Sequence, residues 1–416
     1  MALLVLKFGG TSVATIPAIE NVADKVAAEV RRGHRAAVIV SAMAGVTNQL
    51  VSWCSEISKI YDHSEYDSIV ASGEQVTSGL LALALQKRQV RARSWLGWQI
   101  PLMTDGMHGR ARIAEVKSAQ LLAAINDDEV AVIAGFQGIA PDGRISTLGR
   151  GGSDTTAVAI AAALKADRCD IYTDVNGVYT ADPRIVSRAK KIDRISYEEM
   201  LEMASVGAKV LQTRSVELAM KEKVPVQVLS SFEDALGSDL PGTLVEDEEN
   251  IMEQEVVSSV THTRDEAKVT LRNLPDVPGV AARVFGPLAE SAINVDMIVQ
   301  NLSAGQDRTD MTFTVPRADL PRTLDVLQKK LNGELAGTQV DSSADVAKVS
   351  IIGIGMRSHA GVAQKMFKTL ADKGINIQVI STSEIKVSVL IAEEYTELAV
   401  RALHTAYELD GEEKTG

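Results

Sequence analysis

The sequence predicts an α/β protein: an open, mostly parallel sheet with helices on both faces, followed by two ferredoxin-like α+β units. Three observations carry this reading. Short apolar runs alternate with amphipathic helical periods over the first 245 or so residues. Glycine-rich turns stand at the starts of two helices, at Gly9-Gly10 and at Gly149-Arg150-Gly151-Gly152, which is where open α/β sheets bind ligands. Beyond an acidic linker, Glu246-Asp247-Glu248-Glu249-Asn250, the chain repeats itself with a period of about 80 residues.

In chain order, Leu3-Leu4-Val5-Leu6-Lys7-Phe8 reads as a buried strand that ends in the glycine pair and the hydroxyls Thr11 and Ser12. Bare backbone N–H groups between a strand and a helix form an anion nest, with Lys7 as a mobile cation at its mouth. The alternative is a core strand with a glycine turn and an exposed lysine. Ile19, Val22, Ala23, Val26, Ala27 and Val30 then give a helix over 17–32, opened by Pro17 and closed by Gly33. A strand over 36–42, a glycine-containing loop over 43–48, helices over 48–60 and 75–88 and a strand over 92–97 follow. A helix over 115–126 leads to a strand over 129–136 and a hairpin over 137–148, turning at Pro141-Asp142-Gly143. The second glycine turn opens an Ala-rich helix over 154–165, before a strand over 169–173. Ser196-Tyr197-Glu198-Glu199 is a capping box. A helix over 207–222 and a strand over 225–231 complete this half.

The repeat is explicit. Ala267-Lys268-Val269 returns as Ala347-Lys348-Val349, Gly279-Val280-Ala281 as Gly361-Val362-Ala363, and Ile293-Asn294 as Ile375-Asn376. Each copy reads strand, helix, strand, strand, helix. The first has a closing strand near 338–342; the second has no room for one before the final residues, so the alternating segment 256–262 is expected to cross over and complete it.

Composition narrows the function. A net charge of −12 over 416 residues disfavours nucleic acid and anionic membrane as partners. No signal peptide and no run of 18 or so apolar residues is visible. Cys54 and Cys169, far apart, fit reduced thiols in a cytoplasmic protein, and no histidine pair has metal-ligand spacing. Neither G-x-x-x-x-G-K-[ST] nor a helix-opening G-x-G-x-x-G is present. Two phosphate-grade glycine turns with cations nearby and few histidines suit phosphoryl transfer to a carboxylate. That nucleophile is ionised at neutral pH and needs no general base, so catalysis reduces to alignment and charge neutralisation. Mg²⁺ can then be held largely by phosphates and water, with no metal cage in the protein.

Lys7-Phe8-Gly9-Gly10-Thr11-Ser12-Val13, Ala71-Ser72-Gly73-Glu74, Gly149-Arg150-Gly151-Gly152-Ser153-Asp154 and the paired repeat together resemble a bacterial, monofunctional aspartokinase over essentially the whole chain. The resemblance implies an amino-acid-kinase domain at 1–245, a first ACT domain at 263–337, and a second at 250–262 plus 338–416. The implied reaction transfers the ATP γ-phosphate to the β-carboxylate of L-aspartate, the first step towards lysine, threonine and methionine. By the same resemblance Lys7, Asp154 and Lys209 are catalytic. Phe8, Gly9, Gly10, Ser41, Thr173, Asp174, Tyr179, Asp182 and Arg184 join the two lysines around ATP. Thr47, Glu74, Arg150, Gly151, Gly152 and Ser153 bind aspartate, Glu74 receiving the amine and Arg150 gripping a carboxylate.

The resemblance places allosteric effectors at Asp276, Gly279, Ala281, Asn294, Val295, Asp296, Gln300, Asn376, Ile377 and Ser383, with feedback inhibition by lysine, threonine or both. It also implies a homodimer or higher oligomer through the ACT domains, and admits a separate small subunit from an internal start near Met252. The alternatives are a kinase of the same fold acting on glutamate, acetylglutamate or UMP, and a non-catalytic amino-acid sensor. The sensor would have no use for Lys7, Arg150, Asp154 and Lys209 together.

Overall fold

The computed structural model describes residues 1–208, 210–233, 236–239, 242–251, 256–302, 308–331 and 337–411. They form two compact units. The first is built on an eight-stranded sheet in the order Arg194–Ser196, Thr243–Glu246, Val226–Ser230, Arg168–Thr173, Leu3–Phe8, Arg35–Val40, Val130–Ala134, Ala92–Trp95. Every pairing is parallel except that of Val226–Ser230 with Thr243–Glu246. The chain runs outward from Leu3–Phe8 on one side and later returns on the other through Arg168–Thr173. The topological switch therefore lies between these two strands, and a crevice opens at their carboxyl ends.

Alternation along the first strand sorts its side chains. Leu4, Leu6 and Phe8 are buried in a core with Ile19, Val22 and Val26 of helix Ile16–Arg31 and Leu81 and Leu85 of helix Ser72–Lys87. Burying each such side chain contributes about 2 kcal/mol. Lys7 points to the opposite face, towards helix Gly152–Leu164. The capping box forms as read: Ser196 Oγ accepts from Glu199 N (3.2 Å), and Glu199 Oε2 accepts from Ser196 N (3.3 Å).

Several elements differ from the sequence reading. Helix His63–Val70 was not anticipated. With Ser72–Lys87 it makes a run, His63–Lys87, long and apolar enough to cross a membrane by length and composition, where no such run was expected. In the structure Asp67, Gly73, Glu74, Thr77, Leu81 and Leu85 of this run are buried inside the unit. The expected helix over 115–126 is strand Ile113–Val116 followed by helix Ala119–Asn126. That strand joins Leu102–Thr104, Gln137–Ile139 and Ile145–Thr147 in a second, four-stranded sheet. The expected helix over 207–222 begins only at Thr213. Gly207 has φ +119° and lies so close to the His262 carbonyl that a Cβ would collide with it, a backbone state no helix contains.

The second unit gathers Tyr179–Lys190 and Ser205–Ala208 together with the C-terminal part of the chain. Its six-stranded sheet runs Asp296–Leu302, Arg308–Val315, Ser259–Pro275, Gln339–Ile352, Lys386–Ala392, Val379–Thr382. The two central strands are shared between the copies. Ser259–Thr263 pairs with Lys348–Ile352 of the second copy, whereas Lys268–Arg272 pairs with Gln339–Ser343. Residues 339–343 thus close the first copy, although the boundary drawn at 338 gave them to the second. Ala181 and Val186 lie in the second copy's core, with Val349, Met366 and Leu403. Thr180 Oγ1 is 2.8 Å from His404 Nε2, and His404 Nδ1 is 3.0 Å from Asp410 Oδ1. The Thr180 carbonyl accepts from Val260 N at 2.7 Å.

Candidate active site

Lys7, expected as a mobile cation, is instead buried, and its Nζ lies 2.5 Å from Asp154 Oδ1. Asp154 stands in the first turn of helix Gly152–Leu164, where the helix dipole favours a carboxylate. No side chain caps this helix; its N-cap is Gly151, with φ +71°. A Cβ on Gly9 would sit 3.5 Å from the Lys7 ammonium, and one on Gly10 would press to 2.9 Å from the Ala42 carbonyl. Glycine at 10 is therefore required by close approach of two backbones. The turn closes with Ser12 N donating to Gly9 O (3.0 Å), and Ser12 Oγ lies 2.5 Å from Ser231 Oγ. Phe8 is fully buried and stacks on Tyr172 at 4.5 Å, so it offers an amide rather than a ring to a ligand.

A second buried group shares a wall with this cradle. Ala42 N donates to Glu74 Oε1 at 3.1 Å, while Glu74 Oε2 has no partner. Glu74 is only 4% exposed, and burial pushes its carboxyl up to about 7. A desolvated acid with one free oxygen is a socket for a cation. Gly73 lets the helix approach: a Cβ there would be 2.7 Å from Ala42 Cβ. Ser41 follows strand Arg35–Val40, its N–H bound to Phe8 O. Thr47, read as a loop residue, lies in the first turn of helix Val46–Ile57.

Gly149 and Gly151 both have positive φ, and Gly152 packs against Phe136. Gly151 lies hard against the Gln212 side chain. Ser153 is buried beside Gly135, and Arg150 stands exposed at the turn's tip. Thr173 and Asp174 end the strand next to that of Lys7, with Thr173 Oγ1 3.1 Å from Asp174 Oδ1. Tyr179, Asp182 and Arg184 fall in the second unit. Arg184 there is engaged by Asp182 (Nη2–Oδ2, 2.7 Å), which holds the Asp182 carboxyl below its usual range. Lys209 and Met252 lie outside the described residues. The sequence reading missed Ser12, Ser231, Asp67 and Arg214; of these, only Ser12 had a signal, its place within the glycine turn.

A model of the amino acid kinase family matches residues 2–230, and an ACT domain model matches 272–331 and 349–407. The aspartate kinase Ask_LysC of Stutzerimonas stutzeri is 54% identical over 411 residues, covering 99% of this chain and 98% of that protein. The chain belongs to the aspartokinase family. The aspartokinase of Mycolicibacterium smegmatis is 46% identical, covering 100% and 98%. Among solved structures, Escherichia coli aspartokinase III in complex with aspartate and ADP aligns with a TM-score of 0.79 at 30% identity, covering 97% of this chain and 99% of that one. The same enzyme in complex with lysine and aspartate aligns at 0.75. An amino-acid-kinase fold here precedes an ACT pair.

The positions assigned to effectors lie on the second unit's sheet and its loops. Asp276 and Ala281 flank the N-cap Gly279, whose φ is +88°. Asn294, Val295, Asp296 and Gln300 lead into and along one edge strand; Asn376 and Ile377 precede the other, and Ser383 caps its hairpin. Asp296 is already engaged, with its Oδ2 2.8 Å from Lys348 Nζ.

Proposed function

We propose that this aspartokinase transfers the γ-phosphoryl group of ATP to the β-carboxylate of L-aspartate, giving 4-phospho-L-aspartate. One observation carries the reading: the buried Lys7–Asp154 pair in the Gly9-Gly10 cradle shares Ala42 with the buried, half-satisfied carboxylate of Glu74. A phosphate-binding cation and an ammonium socket are thereby set on either side of one backbone segment. Asp154 fixes Lys7, so its charge is in place before the phosphoryl group moves and no reorganisation is needed during transfer. Glu74 takes the substrate ammonium, whose charge returns the acid to its ionised form. Arg150, exposed on a glycine hinge, offers a bidentate fork to the α-carboxylate. The β-carboxylate, ionised already, needs alignment rather than a base.

Thr173 and Asp174 suit the nucleotide, with Tyr179, Asp182, Arg184, Ser41 and Lys209 assigned to it by family resemblance. Mg²⁺ would offset charge on the β- and γ-phosphates. Among the described residues no group of three His, Cys, Asp or Glu side chains could hold it, so the phosphates and water would be its main ligands. The ACT pair would mediate feedback inhibition by lysine, threonine or both, in a homodimer or larger assembly of the cytoplasm.

ADP release coupled to L-aspartate, with the acyl phosphate trapped as hydroxamate, tests the reaction. Product from the wild type and not from Lys7→Ala is expected; equal product from both would remove Lys7 from its role. Turnover unchanged by millimolar lysine, threonine and their mixture would reject the feedback reading.

A further inference from the structure

Asp67 is fully buried, four residues before the Ala71-Ser72-Gly73-Glu74 segment but outside it, and saturated with donors. Its Oδ2 lies 2.8 Å from His108 Nδ1, both its oxygens accept from Gly109 N at 3.0 Å, and the Thr147 hydroxyl donates to Oδ1. These donors converge on one place. Thr147 stands two residues before Gly149, and a Cβ on Gly149 would be 3.3 Å from the Gly109 carbonyl. On the same segment Arg214 donates through Nη1 to Leu148 O (2.7 Å) and through Nη2 to Ala111 O (2.8 Å). Ala111 N in turn donates to Thr147 O at 2.9 Å. The chain entering the Gly149–Ser153 turn is thus held by a carboxylate, which meets an imidazole, a backbone N–H and a hydroxyl, and by a guanidinium spent on two backbone carbonyls.

Asp67 also lies on helix His63–Val70, which runs through Ala71 into the helix bearing Glu74. Gln137 Nε2 ties the Ala71 carbonyl at 2.9 Å. One side chain therefore links the Glu74 side of the site to the Arg150 side. The separation of those two groups sets where an amino acid's ammonium and carboxylate can both be met.

We propose that Asp67 and Arg214 are positioning residues for the acceptor half of the site, fixing the Gly149–Ser153 turn relative to Glu74. The proposal rests on the aspartate kinase reading above. Loss of the clamp displaces Arg150 and leaves the Lys7 cradle in place, so it weakens aspartate and spares ATP. Small misplacements of a positioning group are costly in rate and binding.

The least disruptive test is Thr147→Val, which keeps the shape and removes the hydroxyl donated to Asp67, paired with Thr147→Ser, which restores it. Thr147→Val is expected to raise KM for aspartate about tenfold while KM for ATP stays within about twofold; Thr147→Ser should behave as wild type. Asp67→Asn and Arg214→Met should shift the same constant further in the same direction. KM values for both substrates rising together, or neither moving while the melting temperature falls, would overturn the proposal and leave the clamp a structural tie. Should Asp67→Asn fail to fold, the Thr147 pair still decides. A wild type without aspartate-dependent turnover would instead overturn the activity on which the proposal stands, and the proposal with it.

Discussion

Lys7 in the first unit and Lys348 in the second are both buried ion-paired lysines, and they invite comparison. Lys7 is 8% exposed and, among the described residues, meets a single carboxylate, Asp154, in a wall of bare glycine backbone at the carboxyl ends of parallel strands. Lys348 is 4% exposed and meets two carboxylates, Glu266 at 2.5 Å and Asp296 at 2.8 Å, on strands drawn from both repeat copies. The repeat makes the second arrangement nearly symmetrical. Lys268, its counterpart in the first copy, reaches Gln378 Oε1 at 2.6 Å. Burial and ion pairing are common to both lysines; what differs is their surroundings. A lysine with one partner and open backbone donors can exchange water for a polyanion. A lysine enclosed by two carboxylates has its charge fully spent and serves to join two elements.

The largest expected effect tests the first half of that contrast. Lys7→Met should lower kcat by about 10³-fold with the fold retained, as read by coupled ADP release and circular dichroism. Next comes Arg150→Lys, which keeps charge but not the fork. A rise in KM for aspartate of about tenfold is expected, with KM for ATP unmoved in initial-rate assays.

The buried Glu74 predicts a pH dependence. Its carboxyl titrates at about 7 in the free protein, and only the ionised form receives an ammonium. kcat/KM for aspartate should therefore fall about tenfold per unit below pH 7 and level off above it. Glu74→Gln should be weak and flat across the same range. The stability consequence has the opposite sense. An acid whose pKa is raised by folding favours the native state at low pH. That contribution is lost as pH rises from about 4.5 to about 7, roughly 3 kcal/mol in all. Melting curves without substrate should show this loss, and Glu74→Gln should abolish it.

The smallest effect on turnover is expected from Lys348→Met. Basal kcat should stay within about twofold, while the uncompensated Glu266 and Asp296 lower stability by about 3 kcal/mol, visible in denaturant titration. Collapse of basal turnover in a folded Lys348→Met protein would break the contrast between the two lysines.

Legibility followed locality. The capping box at Ser196 and Glu199, the glycine turns and the repeat are short patterns whose physics is contained in neighbouring residues, and each appears in the structure as read. Lys7 was legible as a cation beside the glycine turn but not as a buried one, because its partner Asp154 arrives 147 positions later from another element. Asp67 carried no signal at all: a helical aspartate reads as a solvated charge, and its donors come from residues 108, 109 and 147. Tyr179–Lys190 looked like more of the kinase half because it follows directly on Thr173-Asp174. Its placement in the second unit depends on Val260, His404 and Asp410, which no local pattern names.

The shared central strands have a consequence during synthesis. Ser259–Thr263 leaves the ribosome about 90 residues before its partner Lys348–Ile352. At 5–20 residues per second that is an interval of roughly 4.5–18 s. Throughout it, one border of this β-branched strand is without its mate, an open edge of unpaired N–H and C=O groups. On a crowded polysome, exchange of this strand between neighbouring chains is the assembly error that this shared-strand topology exposes.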